Sequence, residues 1–237
     1  MKILVAGNSH IGALMKARAE SPDDNIQFLT YNGNTLLQNL QVNERCELSS
    51  TRQHITDAIV DQGLKQVSLN SFDYIFIYGC QLRAAGNGEN WLNVVISTGQ
   101  GFSEQAHSVA LRDYVRNTAH YRFLEEIHNW PFESHVKIVS MPSPVPNELA
   151  AFSDKQSLMT TENADKVKRF MENEIKSVGF DYLETPESLW NEEGFMTSSR
   201  FKADRGPDMA HLNTAGGHEV LKSIVAYTDT KSANVAA

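Results

Sequence analysis

The stretch KILVAGNSHIGAL, residues 2–14, decides how the rest of the chain is read. Lys2 to Ala6 is a run of aliphatic and β-branched side chains, the composition of a short buried strand. It ends at Gly7-Asn8-Ser9-His10, after which apolar residues recur at helical spacing as far as Glu20, with Ser21-Pro22 as a stop. A strand that runs through a polar tetrapeptide straight into a helix leaves those residues beside the unpaired N–H groups of the helix's first turn. Three readings compete there. A phosphate loop needs Gly-x-x-x-x-Gly-Lys-Ser/Thr; Gly7 and Gly12 have the spacing, but Ala13 and Leu14 stand where the lysine and hydroxyl belong, which removes it. A dinucleotide turn needs a second glycine where Ser9 stands, so that signal is weak. The third makes Ser9 an exposed nucleophile on a strand-to-helix turn. Against it stands a plainer role for Ser9 as a helix cap, which on these residues alone is the better supported.

Working outward, the same alternation repeats. Ile26 to Thr30, Tyr74 to Tyr78, Val136 to Ser140 and Phe180 to Leu183 read as strands. His10 to Glu20, Thr51 to Gln62, Ser103 to His128 and Asn163 to Val178, the last closed by Gly179, read as helices. A closing helix is expected from Thr214 to about Tyr227. Strands alternating with helices predict an α/β fold, a three-layer α/β/α sandwich of flavodoxin-like type with a parallel sheet of about five strands and binding groups at their carboxyl ends. We expect one domain over residues 1–228, with 229–237 as a flexible tail.

Composition narrows the partners. The net charge is −8 and the pI about 5.5, without any Lys/Arg-rich run, which argues against a nucleic-acid phosphate backbone. No segment approaches the ~18 apolar residues of a membrane span, and no basic, apolar and small-residue leader pattern opens the chain. The expectation is a cytoplasmic protein without a membrane span. Cys46 and Cys80 are isolated, too few for a disulfide framework and without metal-ligand spacing. His54, His107, His120, His128, His135 and His218 likewise lack ligand spacing and read as surface or partly buried residues.

The far end of the chain changes the weight given to Ser9. DMAHLNTAGGHEVL, residues 208–221, puts Asp208 and His211 in one polar loop just before the last helix. A serine hydroxyl needs a neutral imidazole to take its proton, and a carboxylate to fix that imidazole's tautomer and stabilise its cation. Asp-x-x-His supplies both. Alone the motif also fits a turn residue beside a surface histidine; together with Ser9 it describes a nucleophile, a base and an orienting acid.

With these residues in view, the sequence resembles the SGNH hydrolases, the GDSL esterase/lipase superfamily. Gly7-Asn8-Ser9 matches the block that carries the family's nucleophile, and Asp208 to His211, continuing through Leu212-Asn213 and Ala215-Gly216, matches the block that carries its acid and base. The resemblance implies a serine esterase with Ser9, Asp208 and His211 as catalytic residues, no cofactor and no metal. It implies an oxyanion hole from the Ser9 N–H, from Gly33 in the segment Tyr31 to Thr35, and from the residue after Gly79-Cys80, here Gln81. That third block departs from the family's Gly-x-Asn-Asp: Gln81 replaces the asparagine with an amide one methylene longer, and Leu82 replaces the aspartate. His10 has no implied role.

The expected substrate is a short acyl ester or an acetylated carbohydrate, as polar composition and the family's range suggest. Arg83 and Trp91, in the glycine-rich segment 83–101, are candidate substrate contacts, with a surface loop around a buried tryptophan as the plainer alternative. Phe195 to Arg205 has the same two readings, and Met141 to Pro146 is expected to form a stiff wall of the crevice. Two other functions stay open: an acyltransferase using the same three residues, and a non-catalytic binding protein on the same fold, which the altered third block favours.

Overall fold

The computed structural model describes residues 1–30, 40–50, 68–79, 103–144, 161–194, 196–204, 208 and 211–235. A five-stranded sheet forms its centre: β1 (Ile3–Gly7), β2 (Ile26–Thr30), β5 (Tyr74–Tyr78), β6 (Lys137–Met141) and β7 (Asp181–Tyr182), in the order β2-β1-β5-β6-β7. Every pairing in it is parallel. β1 and β5 are buried along their whole length, which is why their sequences are continuous apolar runs rather than alternating ones.

Helices cover both faces. On one, Ile3, Val5, Phe28, Phe76 and Tyr78 pack against α1 (Ile11–Glu20) and α5 (Thr214–Val235) through Ile11, Leu14, Val220 and Ile224. On the other, Leu4, Ala6, Ile75 and Ile77 meet α2 (Glu104–Arg116), α3 (Ala119–Ile127) and α4 (Thr161–Ser177) through Leu111, Tyr121, Leu124, Met171 and Ile175. Removing a side chain such as Phe28 or Phe76 from water contributes about 1.5–3 kcal/mol. The three-layer α/β/α expectation is met.

Three details differ from the sequence expectations. Residues 103–128 were expected as one helix, but the chain breaks between α2 and α3. Thr118 takes extended backbone geometry, and its hydroxyl donates to the Val115 carbonyl at 2.7 Å and accepts from the Tyr121 N–H at 3.1 Å, starting a new helix. The closing helix runs past Tyr227 to Val235, so the expected frayed tail is helical over most of its length. Its continuation has partners: the Tyr227 hydroxyl donates to Asp181 at 2.7 Å, Lys231 lies 3.4 Å from the same carboxylate, and Thr228 is buried. A small antiparallel pair, β3 (Leu40–Val42) with β4 (Leu48–Ser50), was not anticipated, because three-residue strands of mixed polarity carry too little periodicity to read. Its turn is tied by Asn43, whose side-chain oxygen accepts from the Arg45 and Glu47 N–H groups.

The most extensive helix–helix contact among the described residues lies between α1 and α5. A Cβ on Gly217 would run into the Ala13 carbonyl and come to 3.0 Å from the Leu14 nitrogen, so only glycine lets the two helices meet there. Gly12 is the opposite case, with open space where its Cβ would be. Gly217→Ala is therefore expected to destabilise the fold by ~1–3 kcal/mol in chemical denaturation. Gly12→Ala, within a helix, is expected to be neutral or to stabilise by up to ~1 kcal/mol. Equal effects of the two substitutions would contradict the packing described.

Candidate active site

Ser9 lies two residues past the end of β1, at the point where the sheet's strand order reverses, between β1 and β5. The turn is closed by backbone bonds from the Ile11 N–H to the Asn8 carbonyl at 3.0 Å and from the Gly12 N–H to the Ser9 carbonyl at 3.1 Å. The Asn8 side chain accepts from the His10 N–H at 3.2 Å. His10, not Ser9, holds the cap position of α1, and no side chain caps the helix. The Ser9 hydroxyl goes elsewhere: its Oγ lies 2.8 Å from Nε2 of His211.

His211 is presented by a clamped loop. The Ala203 N–H donates to the His211 carbonyl at 3.1 Å, Leu212 bridges Lys202, and the Asn213 N–H donates to the Phe201 carbonyl at 3.0 Å. Asn213 then starts α5, its side-chain oxygen accepting from the Gly216 N–H at 3.0 Å. Within this frame Asp208 makes two bonds to His211, accepting from the ring Nδ1 at 2.8 Å and from the backbone N–H at 3.2 Å. A carboxylate only accepts, so Nδ1 carries the ring proton and Nε2 presents its lone pair to the Ser9 O–H. Ser9 is exposed, and His211 and Asp208 keep about a third of their side-chain surface, at 33% and 36%. A solvent-borne molecule can reach the hydroxyl.

Two further histidines stand behind these residues, and spacing gave no hint of either. His10 is 4% exposed, and its ring centroid lies 4.6 Å from that of His211 with the planes tilted by 34°, forming a floor under the imidazole. His120 is fully buried; its Nδ1 lies 2.9 Å from the Gly79 carbonyl oxygen and its Nε2 2.7 Å from Ser140 Oγ. Burial lowers its pKa to about 4, against the Gly79 hydrogen bond that acts to raise it. The ring is thus neutral at pH 7, with Nδ1–H donating to Gly79 and the Ser140 hydroxyl donating to Nε2.

Ser9, Asp208 and His211 are brought together. Gly33, Gln81, Arg83 and Trp91 lie outside the described residues, as do Cys80, His54, the helix expected over 51–62, and the ends of the 195–205 stretch. Met141 to Pro144, the described part of the expected wall, is buried. Cys46 is buried and free, and burial pushes its thiol up to about 11, away from the reactive thiolate. Among the described residues, no group of three or more His, Cys, Asp or Glu side chains could hold a metal ion, and no helix is long and apolar enough to cross a membrane.

No family model and no curated protein matches the sequence. Solved structures do match. A protein from Streptococcus pneumonia, provisionally named as a platelet activating factor, superposes with a TM-score of 0.51 at 13% identity, over 95% of this chain and 83% of that one. A GDSL-like lipase from Bacteroides thetaiotaomicron gives a TM-score of 0.46 at 12% identity, covering 98% and 88% of the two chains. Phospholipase A1 from Streptomyces albidoflavus gives 0.45 at 12%, covering 95% and 98%. At such identities the likeness is one of fold, and the α/β fold expected from the sequence is borne out.

The buried neutral His120 makes stability depend on acid. Its folded-state pKa, about 4, lies below the ordinary 6.5, so the unfolded chain takes up a proton first as pH falls. Its contribution is fully present above about pH 6.5, is lost as pH falls from there toward about 4, and is level below that, for a total of ~3 kcal/mol. Urea denaturation across this range is expected to show that limb in the wild type and to lack it in His120→Asn. The same slope in both proteins would contradict the assignment.

Proposed function

We propose that this chain is a serine hydrolase of the SGNH type, cleaving a carboxylic ester through an acyl-serine intermediate. The observation that carries the proposal is the 2.8 Å contact between Ser9 Oγ and His211 Nε2, in a ring whose other nitrogen is held 2.8 Å from Asp208. This is the arrangement in which a hydroxyl at neutral pH becomes a nucleophile: the base is in hydrogen-bond reach, and the base is itself oriented by a third group.

In the first half-reaction Ser9 Oγ attacks the ester carbonyl carbon and its proton passes to His211 Nε2. Asp208 stays ionised, fixes the tautomer and stabilises the imidazolium that forms. The tetrahedral oxyanion would be bound by the Ser9 N–H, the Gly33 N–H and the Gln81 amide, the roles that the family resemblance assigns to these positions. Collapse breaks the bond to the alkoxy oxygen, which leaves with the proton from His211. In the second half-reaction His211 takes a proton from water as that water attacks the acyl-serine, and returns it to Ser9 as the acid departs. The three side chains supply every proton transfer. The substrate is taken to be a short acyl ester or an acetylated carbohydrate, a class in keeping with the exposed position of Ser9 and the polar composition of the segments expected around it.

The test is turnover of a panel of short-chain esters and acetylated sugars by wild type and Ser9→Ala side by side. Loss of ~10³-fold or more in kcat is expected for Ser9→Ala on every substrate the wild type accepts. Asp208→Asn, which leaves the ring without its orienting carboxylate, is expected to lower kcat by ~10²-fold or more with less effect on KM. Full activity in either variant would remove the proposed role of that residue.

A further inference from the structure

Of the two buried histidines behind the site that the mechanism above does not use, His120 holds a strand-end carbonyl. His120 lies at the amino end of α3, a position it owes to the break at Thr118, and reaches beneath the carboxyl end of β5. Its target, Gly79, is the first residue past β5 and has a φ of +91°, a conformation that favours glycine. Both polar backbone groups of Gly79 are tied. Its N–H donates to the Met141 carbonyl at 3.1 Å, and its carbonyl accepts from His120 Nδ1 at 2.9 Å. The α-carbon faces the nucleophile's turn: a Cβ there would lie 2.8 Å from Asn8 Oδ1 and 3.4 Å from His10 Cδ2. Asn8 is the residue before Ser9, and His10 is the ring under His211. The other end of the tie is equally fixed. Ser140, 0% exposed, holds Nε2 at 2.7 Å while its own carbonyl accepts from the Leu183 N–H at 2.9 Å, beyond β7.

We propose that His120 is a positioning residue for the Ser9 reaction: by holding the Gly79 carbonyl from a ring anchored on Ser140, it sets the wall of the crevice that faces Asn8, Ser9 and His10. The inference rests on the serine-hydrolase reading. It adds a residue that touches neither substrate nor nucleophile and acts through Gly79. The chain also departs from Gly79 toward Gln81, so the same tie bears on the proposed oxyanion donor. A merely structural histidine would need burial and satisfied nitrogens; here the ring's N–H is placed on the carbonyl of the glycine whose α-carbon faces Asn8 and His10.

Two substitutions separate the ring nitrogens. In His120→Asn the amide nitrogen takes the place of Nδ1 and keeps a donor for Gly79. In His120→Gln it reaches the place of Nε2 and keeps only the side toward Ser140. With an ester that the wild type turns over, His120→Gln is expected to lower kcat ~10- to 100-fold with KM nearly unchanged, because displacement of groups beside a nucleophile penalises the transition state. His120→Asn is expected to recover most of that loss. Thermal melting identifies the variants that are folded at the assay temperature. Ser140→Ala, a smaller lesion, keeps the question answerable if the histidine variants unfold; it frees the far end of the ring and is expected to lower kcat severalfold at constant KM.

Equal kcat losses in the Asn and Gln variants, or kcat unchanged in every folded variant, would overturn the proposal and leave His120 a core residue. A wild type that turns over no ester would overturn the serine-hydrolase reading and this proposal with it. Wild-type turnover without a His120 effect would overturn this proposal alone.

Discussion

A hydroxyl and an imidazole separated by 202 positions in the chain lie 2.8 Å apart, and the constraint that makes this possible is the seam between α1 and α5. Ser9 sits at the amino end of α1 and His211 just before α5. Wherever those helix starts go, the two side chains go with them. The absence of a Cβ at Gly217 lets the first turn of α5 lie directly on the Ala13–Leu14 backbone, and the buried faces around Leu14, Val220 and Ile224 hold both helices on the same side of the sheet. In the proposed reaction, aligning two distant groups beforehand is an entropic service that folding performs once, lowering the cost of each encounter with substrate.

The sheet adds the second half of the constraint. Its order reverses between β1 and β5, so the chain leaves these neighbouring strands in opposite directions at their carboxyl ends, the place where parallel α/β sheets gather binding groups. A glycine stands at each lip. A Cβ on Gly7 would run into the Tyr78 carbonyl, and Gly79 adopts a positive φ against Asn8. Bulk is thereby kept out of the region where Ser9 must remain open to solvent. Two buried rings support it from behind: His10 under His211, and His120 under Gly79.

Much of this was legible in the sequence, for identifiable reasons. Strands buried on both faces announce themselves as apolar runs, and β1, β2, β5 and β6 were found within a residue or two because turn residues bound them. Ser9, Asp208 and His211 stood out because each lay in a polar turn at the edge of a helix. What could not be read was anything decided by tertiary contact. His120 sits in an amphipathic helical pattern like any surface histidine, and only the break at Thr118, a local contest between a hydroxyl and the helix, turns it inward. His10 gives no sign in its spacing that it will lie beneath another ring. The extension of α5 to Val235 depends on Asp181, which is remote in sequence, meeting Tyr227 and Lys231.

Activation of the Ser9 hydroxyl by His211 can be read out by peptide mapping after treatment with a fluorophosphonate, which phosphonylates activated serines. A single adduct is expected, on the peptide that carries Ser9, formed rapidly in the wild type and far more slowly in His211→Ala. An adduct at another residue, no adduct at all, or labelling of Ser9 at the same rate without His211 would contradict it.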